Sequence, residues 1–255
     1  MKLPFPAEPR RWVAAVIGLA LMAVSADAAA NNLRIATTGD YPPFNYVDDA
    51  GTLGGFDVDI ALALCERMGV ECELRRHEWE TLIPELRAGT FDVIAASMSI
   101  TEPRRELVAF TDRHYSNVAR FVANEDSDFH PDRPAGTTIG VARATVSSDW
   151  LEDNLADVAT IKLYRSQSEM LGDLAGARLD AVLGDGLGLY SWLQSADGAT
   201  FRYVGHGLRL DEGIGLAVRH EDDALRRDLN RALAEILADG TYQHINGRYF
   251  PFSIY

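Results

Sequence analysis

The chain has little of what common chemistries are built on. Of its 255 residues two are cysteines, Cys65 and Cys72. Six are histidines, scattered at 77, 114, 130, 206, 220 and 244 without metal-ligand spacing. A structural metal site needs several thiolates or imidazoles close together, so no metal is expected. There is no Gly-x-Ser-x-Gly elbow and no phosphate loop ending in Gly-Lys, and "GDGLG" from Gly184 lacks the full dinucleotide spacing. These absences favour a protein that is not an enzyme and uses no cofactor. Apolar runs are short as well: "WVAAVIGLALMAV" has 13 residues, against the roughly 18 of a membrane span. Positive charge is in deficit, with 24 Lys plus Arg against 38 Asp plus Glu and a net charge of −14. Such a surface repels nucleic acid and anionic membranes, which argues against both as partners.

What is present begins at the N-terminus. Lys2, Arg10 and Arg11 precede the short apolar run, and Ala26-Asp27-Ala28 follows in small-x-small form. A basic head, a short apolar stretch and a small-residue site make a secretory signal peptide over residues 1–28. The expected mature protein is exported to the periplasm, with no membrane insertion once the leader is cleaved. No cysteine lies near the cleavage site, which argues against a lipid anchor there. Export also bears on "CERMGVEC": in an oxidising compartment a cysteine pair is bridged more often than free. A catalytic dithiol is the alternative, weakened because the spacing is not Cys-x-x-Cys.

Strand-like and helix-like runs alternate along the chain. "LRIAT" reads as a strand and "GDYPPFNY" as a loop. "FDVDIALALCERMG" reads as a helix with Asp57 as N-cap, Val58, Ala61, Leu62 and Cys65 along one face, and Gly69 as its end. "ECELR" is a strand, "ETLIPELRAG" a helix and "FDVIAAS" a buried strand; "TIGVA", "TIKLY" and "LDAVLGD" repeat the scheme with helices between them. The alternation implies an α/β fold with mostly parallel sheets. "AGTFDVIAAS" and "AGARLDAVLGD" are alike: a helix closes at Ala-Gly, an aspartate opens an apolar strand and a polar residue ends it. Ser97 follows Asp92 by five residues and Asp185 follows Asp180 by five. Two α/β units thus each deliver a polar group to a strand's C-terminal end, the edge at which open α/β sheets bind ligands. "ANEDSDFHPDRPAG" reads as a surface loop. "DDALRRDLNRALAEILADG" reads as an amphipathic helix, and the aromatic tail after it as packing back on the first unit.

A free amino acid asks for a bidentate arginine or a helix N-terminus at its carboxylate, a carboxylate at its ammonium and a shaped wall for its side chain. Arg104, in "SMSITEPRR" after Ser97 and Ser99, suits the first demand. Asp185 suits the second, and Tyr41 and Trp79 suit the third. Taken singly, Arg104 reads as a surface ion pair, Asp185 as a helix cap and Trp79 as a core anchor. Together, all at strand ends, they favour a site.

From "LRIATTGDYPPFNY" to "YFPFSIY", the chain resembles the periplasmic substrate-binding proteins of polar amino acid ABC transporters. The nearest likeness is to the lysine/arginine/ornithine- and histidine-binding group. "GGFDVDIALALCERMGVEC", "SMSITEPRR", "ARLDAVLGD" and "DGTYQHINGRYF" carry the resemblance, and the cysteine pair matches that group's disulfide. The resemblance implies a two-lobed, type II clamshell with two hinge crossings. Lobe one would be residues 31–116 plus 214–255, and lobe two residues 117–213. Arg104, with Ser99 and the backbone near Thr145, would take an α-carboxylate. Asp185 and Ser97 would take the α-ammonium, Tyr41 and Trp79 would sandwich the side chain, and Asp57 would lie near its far end. The implied partners are a free amino acid or related zwitterion and an inner-membrane ABC permease, with the receptor a monomer.

Members of that group that bind cationic side chains carry an acid where this chain has Thr38; the neighbouring acid here is Asp40. Ala142 replaces a larger or polar residue. A neutral polar amino acid or an opine-like derivative is therefore as admissible as lysine or arginine. "ATTGDYPPF" also resembles the exported cyclohexadienyl dehydratases, whose catalytic glutamate would fall at Gly188; without that acid, loss of carboxylate and hydroxide has no proton donor. A third alternative is a receptor that feeds a sensor protein.

Overall fold

In a computed structural model the structure describes residue 1 and residues 32–255. The expected leader, residues 1–28, lies outside the described residues apart from Met1. The first half runs β1 (Leu33–Thr37), β2 (Asp40–Tyr41), β3 (Asn45–Val47), β4 (Leu53–Gly54), α1 (Phe56–Met68), β5 (Cys72–Arg76), a 3-10 turn (Trp79–Thr81), α2 (Leu82–Arg87), β6 (Val93–Ile94), α3 (Glu102–Arg105) and β7 (Ala109–Phe110). There follow β8 (Ala119–Asn124), β9 (Thr138–Ala142), α4 (Val146–Leu155), β10 (Thr160–Tyr164), α5 (Gln167–Ala175), β11 (Ala181–Asp185), α6 (Gly186–Leu193) and β12 (Phe201–Leu208). The chain closes with β13 (Ala217–Val218), α7 (Asp223–Ala238) and α8 (Thr241–Tyr249).

Two five-stranded sheets result, ordered β5-β1-β6-β13-β7 and β10-β9-β11-β8-β12, with β2, β3 and β4 in a small third sheet. The chain passes between the large sheets twice, after β7 and after β12. Each large sheet is half parallel: β1 pairs parallel with β5 and β6, and β9 with β10 and β11. The other strands pair antiparallel. The mostly parallel expectation therefore holds for the βαβ halves alone. β8 and β12 are not flagged by the sequence reading, because "ARFVAN" and "FRYVGHGL" break their apolar residues with arginine, glycine and histidine.

The sequence repeat is a structural one. Asp92 Oδ2 accepts the Arg34 N–H at 3.1 Å beside β1, and Asp180 Oδ2 accepts the Thr138 N–H at 2.7 Å beside β9. In both units the aspartate that opens the third strand ties down the start of the first.

α1 departs from expectation at its start. Its N-cap is Gly55, at φ 122, where a Cβ would come within 2.3 Å of the Phe44 carbonyl oxygen; only glycine fits there. Asp57 is not the cap but a first-turn residue turned inward and fully buried. The apolar face is Phe56, Val58, Ile60, Ala61, Leu64 and Cys65, whereas Leu62 is exposed. Gly69 ends the helix in the left-handed region, and Cys65 and Cys72 are bridged with Cα atoms 6.2 Å apart. α1 packs on α7 and α8, and Phe44, Phe56, Tyr115, Tyr242 and Phe250 form one aromatic cluster. The tail thus closes the core of the first sheet.

Candidate binding cleft

Where the two large sheets meet, a cleft is lined by Thr38, Asp40, Tyr41, Trp79, Ser97, Ser99, Arg104, Thr145 and Asp185, nine of the ten ligand residues expected from sequence. They arrive at strand ends: Thr38 and Asp40 after β1, Ser97 and Ser99 after β6, and Asp185 at the end of β11. Arg104 comes from α3, whose N-cap Thr101 accepts the Arg104 N–H.

The tenth residue, Asp57, does not line the cleft, contrary to expectation. It lies behind Ser97, whose Oγ donates to Asp57 Oδ2 at 2.7 Å. Asn45 Nδ2 reaches the same oxygen at 3.4 Å, and His114 Nε2 lies 3.4 Å from Oδ1. Thr38 Oγ1 donates to Asn45 Oδ1 at 2.6 Å. A first-turn position on the inward face of α1 leaves Asp57 no path to the cleft, so it serves the residues that line it. Ser97 has φ 53, and its bond to Asp57 holds that left-handed backbone.

The charges are arranged by sign. Arg104 Nη1 donates to the Ser99 carbonyl at 3.0 Å and Nη2 to the Ala144 carbonyl at 3.3 Å. Its Cζ lies 5.3 Å from the Trp79 ring centroid. Arg104 has no carboxylate within ion-pair distance among the described residues; burial lowers its pKa, while Asp149, Asp185 and Asp211 oppose that shift at longer range. Asp185 stands at the N-cap of α6 but makes no cap bond. Its carboxylate instead accepts the Tyr41 hydroxyl at 2.8 Å. Burial pushes the Asp185 pKa up to about 6, against the Tyr41 hydrogen bond and Arg104. A cation and an anion thus face one space, within electrostatic reach and unpaired.

α4 adds a positive end. Thr145 caps it in a reciprocal box: the Thr145 N–H donates to Ser148 Oγ at 3.0 Å and the Ser148 N–H to Thr145 Oγ1 at 3.2 Å. Thr145's own donors are therefore committed, its hydroxyl to the Ala142 carbonyl. The first-turn residues that border the cleft are Val146 and Ser147. Further contacts join the two sides: Trp79 Nε1 donates to the Ala144 carbonyl at 2.9 Å, and Arg143 pairs with Glu80 at 2.5 Å.

Lining residues not anticipated from sequence include Arg143, Arg165, Ser166, Gln167 and Met170. Ser166 and Gln167 follow β10, so the strand-end rule that selected Ser97 and Asp185 also reaches them. Gly188 packs against the cleft wall, and a Cβ there would come within 2.6 Å of the Tyr41 hydroxyl. Among the described residues no group of three or more His, Cys, Asp or Glu could hold a metal ion.

Two α/β lobes joined by two crossings, with a polar cleft between their strand ends, define the two-lobed type II periplasmic binding fold. The profile of the bacterial extracellular solute-binding proteins, family 3, matches residues 33–252, and the chain belongs to this family. It is 36% identical to the L-arginine-binding protein of Pseudomonas aeruginosa, over 94% of this chain and 95% of that protein. It is 33% identical to the histidine-binding periplasmic protein of Escherichia coli K12, over 94% and 98% respectively. A solved ancestral arginine-binding protein bound to arginine superposes with a TM-score of 0.80 at 31% identity, covering 86% of this chain and 98% of that one.

Proposed function

We propose that the protein is a periplasmic receptor for a free amino acid or amino-acid derivative, which it delivers to an inner-membrane ABC permease as a monomer after loss of its leader. Lobe one is residues 31–116 with 214–255 and lobe two residues 117–213. The observation that carries this reading is the unpaired opposition of Arg104 from the first lobe and Asp185 from the second across one cleft. A zwitterion satisfies both. Its carboxylate takes Arg104, Ser99 and the start of α4; its ammonium takes Asp185 and Ser97. Because the two anchors sit on different lobes, the ligand favours the closed state by its differential contact with it.

Tyr41 and Trp79 flank the side chain. At its far end Thr38 is committed to Asn45, and Asp57 is sealed behind Ser97, which leaves Asp40 as the acid available to a distal cation. The dehydratase reading loses its acid: residue 188 is glycine, and a larger side chain there would collide with Tyr41. The protein is therefore taken as a binder.

A thermal-shift screen of ligand-free protein against all amino acids, opines and prephenate tests the assignment, followed by calorimetry on the hits. Stabilisation by one or a few amino acids, lost in Asp185→Ala by about 3 kcal/mol because an ammonium is then buried unpaired, is the expected result. Turnover of prephenate, or undiminished affinity in Asp185→Ala, would overturn it.

A further inference from the structure

A second cavity, of about 290 Å³, lies away from the cleft, beside the segments that cross between the lobes. Its walls come from Ser116, Asn117 and Val118 on the first crossing, Arg209 after β12, the first turn of α6, and Phe252 in the tail. α6 separates the two spaces: Asp185 at its cap faces the cleft, and Gly186 and Leu187 face the second cavity.

The chemistry is the inverse of the molecule's surface. In a chain of net charge −14 this cavity has two arginines, Arg120 and Arg209, and no acidic residue in its lining. Neither arginine has a carboxylate within ion-pair distance among the described residues, whereas Arg34, Arg143, Arg219 and Arg226 all do. Arg120 is held in place without charge compensation: its Cζ lies 4.5 Å from the Tyr203 ring centroid, and Nη2 donates to the Gly205 carbonyl at 3.3 Å. Its Nε is buried with no acceptor. The room for its stem comes from Gly207, where a Cβ would approach Arg120 Cδ to 3.3 Å and Val118 Cγ2 to 3.0 Å. Beside it Asn117 is only 8% exposed. Asn117 Oδ1 takes the Leu187 N–H, which orients the amide and leaves Nδ2 without an acceptor among the described residues. Arg120 and Asn117 are held in place with donors to spare, and the exposed Arg209 adds a second positive charge; together these are what an oxyanion requires. Tyr190 and Phe252, edge to face at 5.2 Å, give the opposite wall an aromatic character.

We propose that this cavity is a second ligand site, for a small carboxylate carried on an aromatic body. The carboxylate is taken by Arg120, Arg209 and Asn117, and the ring packs on Tyr190 and Phe252. The site does not depend on the amino-acid cleft and shares no lining residue with it.

The test is calorimetric titration of the full mature protein with benzoate, and with benzamide as the neutral isostere, on wild type and on Arg120→Gln, Arg209→Gln and Arg104→Gln. Benzoate is expected to bind wild type and Arg104→Gln alike. The Arg120 and Arg209 variants should lose at least about tenfold in affinity, since each removes a charge-assisted contact, and benzamide should bind none of them measurably. Arg209 is exposed, so its variant keeps the test intact if Arg120→Gln fails to fold. Absence of benzoate binding, equal binding of benzamide, or loss in Arg104→Gln with retention in Arg209→Gln would overturn the proposal. The last outcome would mean that benzoate occupies the amino-acid cleft. None of these results alters amino-acid binding by the wild type, so this site and the cleft stand or fall separately.

Discussion

The hydroxyl of Tyr41 donates to Asp185 Oδ2 at 2.8 Å across 144 residues of sequence, from the first lobe to the second. The bond occupies the carboxylate assigned to a ligand's ammonium and ties it to the aromatic wall assigned to the ligand's side chain. Polarity and shape at the site are therefore coupled through one hydrogen bond.

As the proposed ammonium anchor, Asp185 should make binding pH-dependent. Its folded pKa is raised to about 6, above the ordinary carboxylate value, so folding of the ligand-free protein favours the protonated form relative to the unfolded chain. That contribution to stability is present in acid and is lost as pH rises through about 6. Ligand affinity runs the other way, because an ammonium requires the ionised carboxylate. Affinity should fall as pH drops below about 6, and binding near that pH should release a proton. Calorimetry in two buffers of different ionisation enthalpy reads the release directly.

Asp57→Asn should damage the scaffold and spare the selectivity. The amide would set an N–H₂ group among donors from Ser97 and Asn45, and the loss should be about 2 kcal/mol of unfolding free energy. The ratio of affinities for cationic and neutral amino acids should remain that of the wild type. Urea unfolding and paired ligand titrations measure the two effects.

Gly188→Ala should weaken binding by about 1 kcal/mol, as overpacking does, because the new methyl displaces the Tyr41 hydroxyl from Asp185. Tyr41→Phe combined with Gly188→Ala should cost little more than the worse single variant. A double-mutant cycle on ligand affinity checks this coupling.

Glu80 and Arg143 pair across the cleft while both are partly exposed. Removing the pair with Glu80→Gln should weaken ligand affinity by no more than about 1 kcal/mol, as for other exposed ion pairs, and the effect should fade at high salt. Titrations at low and high ionic strength distinguish this from a direct ligand contact, which would persist.

Asp92 is different. Burial pushes its pKa up, but Arg34 and Arg219 outweigh that and hold it at about 2. Its stabilisation is full above the ordinary carboxylate value and is lost as pH falls through about 2. Asp92→Asn should cost roughly 2 kcal/mol near neutral pH and progressively less in acid, read by urea unfolding across that range.

Much of the cleft is legible in the sequence because strand ends are marked locally. Ser97 and Asp185 each follow an aspartate and an apolar run, and Arg104 follows Ser97 by seven residues, in the first turn of α3. Asp57 was misread because nothing local distinguishes a first-turn acid that caps a helix from one that turns inward; the buried Ser97, Asn45 and His114 decide it, from well separated stretches of chain. β8 and β12 are not legible because their short apolar stretches are interrupted by arginine, glycine and histidine, and antiparallel partners far apart in the chain decide that they are strands. Arg143 and Arg165 were missed because an arginine in a loop carries no mark of the direction it faces.

The sequence by itself determined the two α/β units and the strand ends that carry polar groups, since each follows from periodicity or turn residues; the cysteine bridge is expected from export and from the family resemblance. Only the tertiary structure decided that Arg104 and Asp185 share a cleft without pairing, that Tyr41 spans it, and that two arginines are left uncompensated behind α6. Those relations join residues far apart in the chain, and their energies depend on burial and distance, which no local pattern encodes.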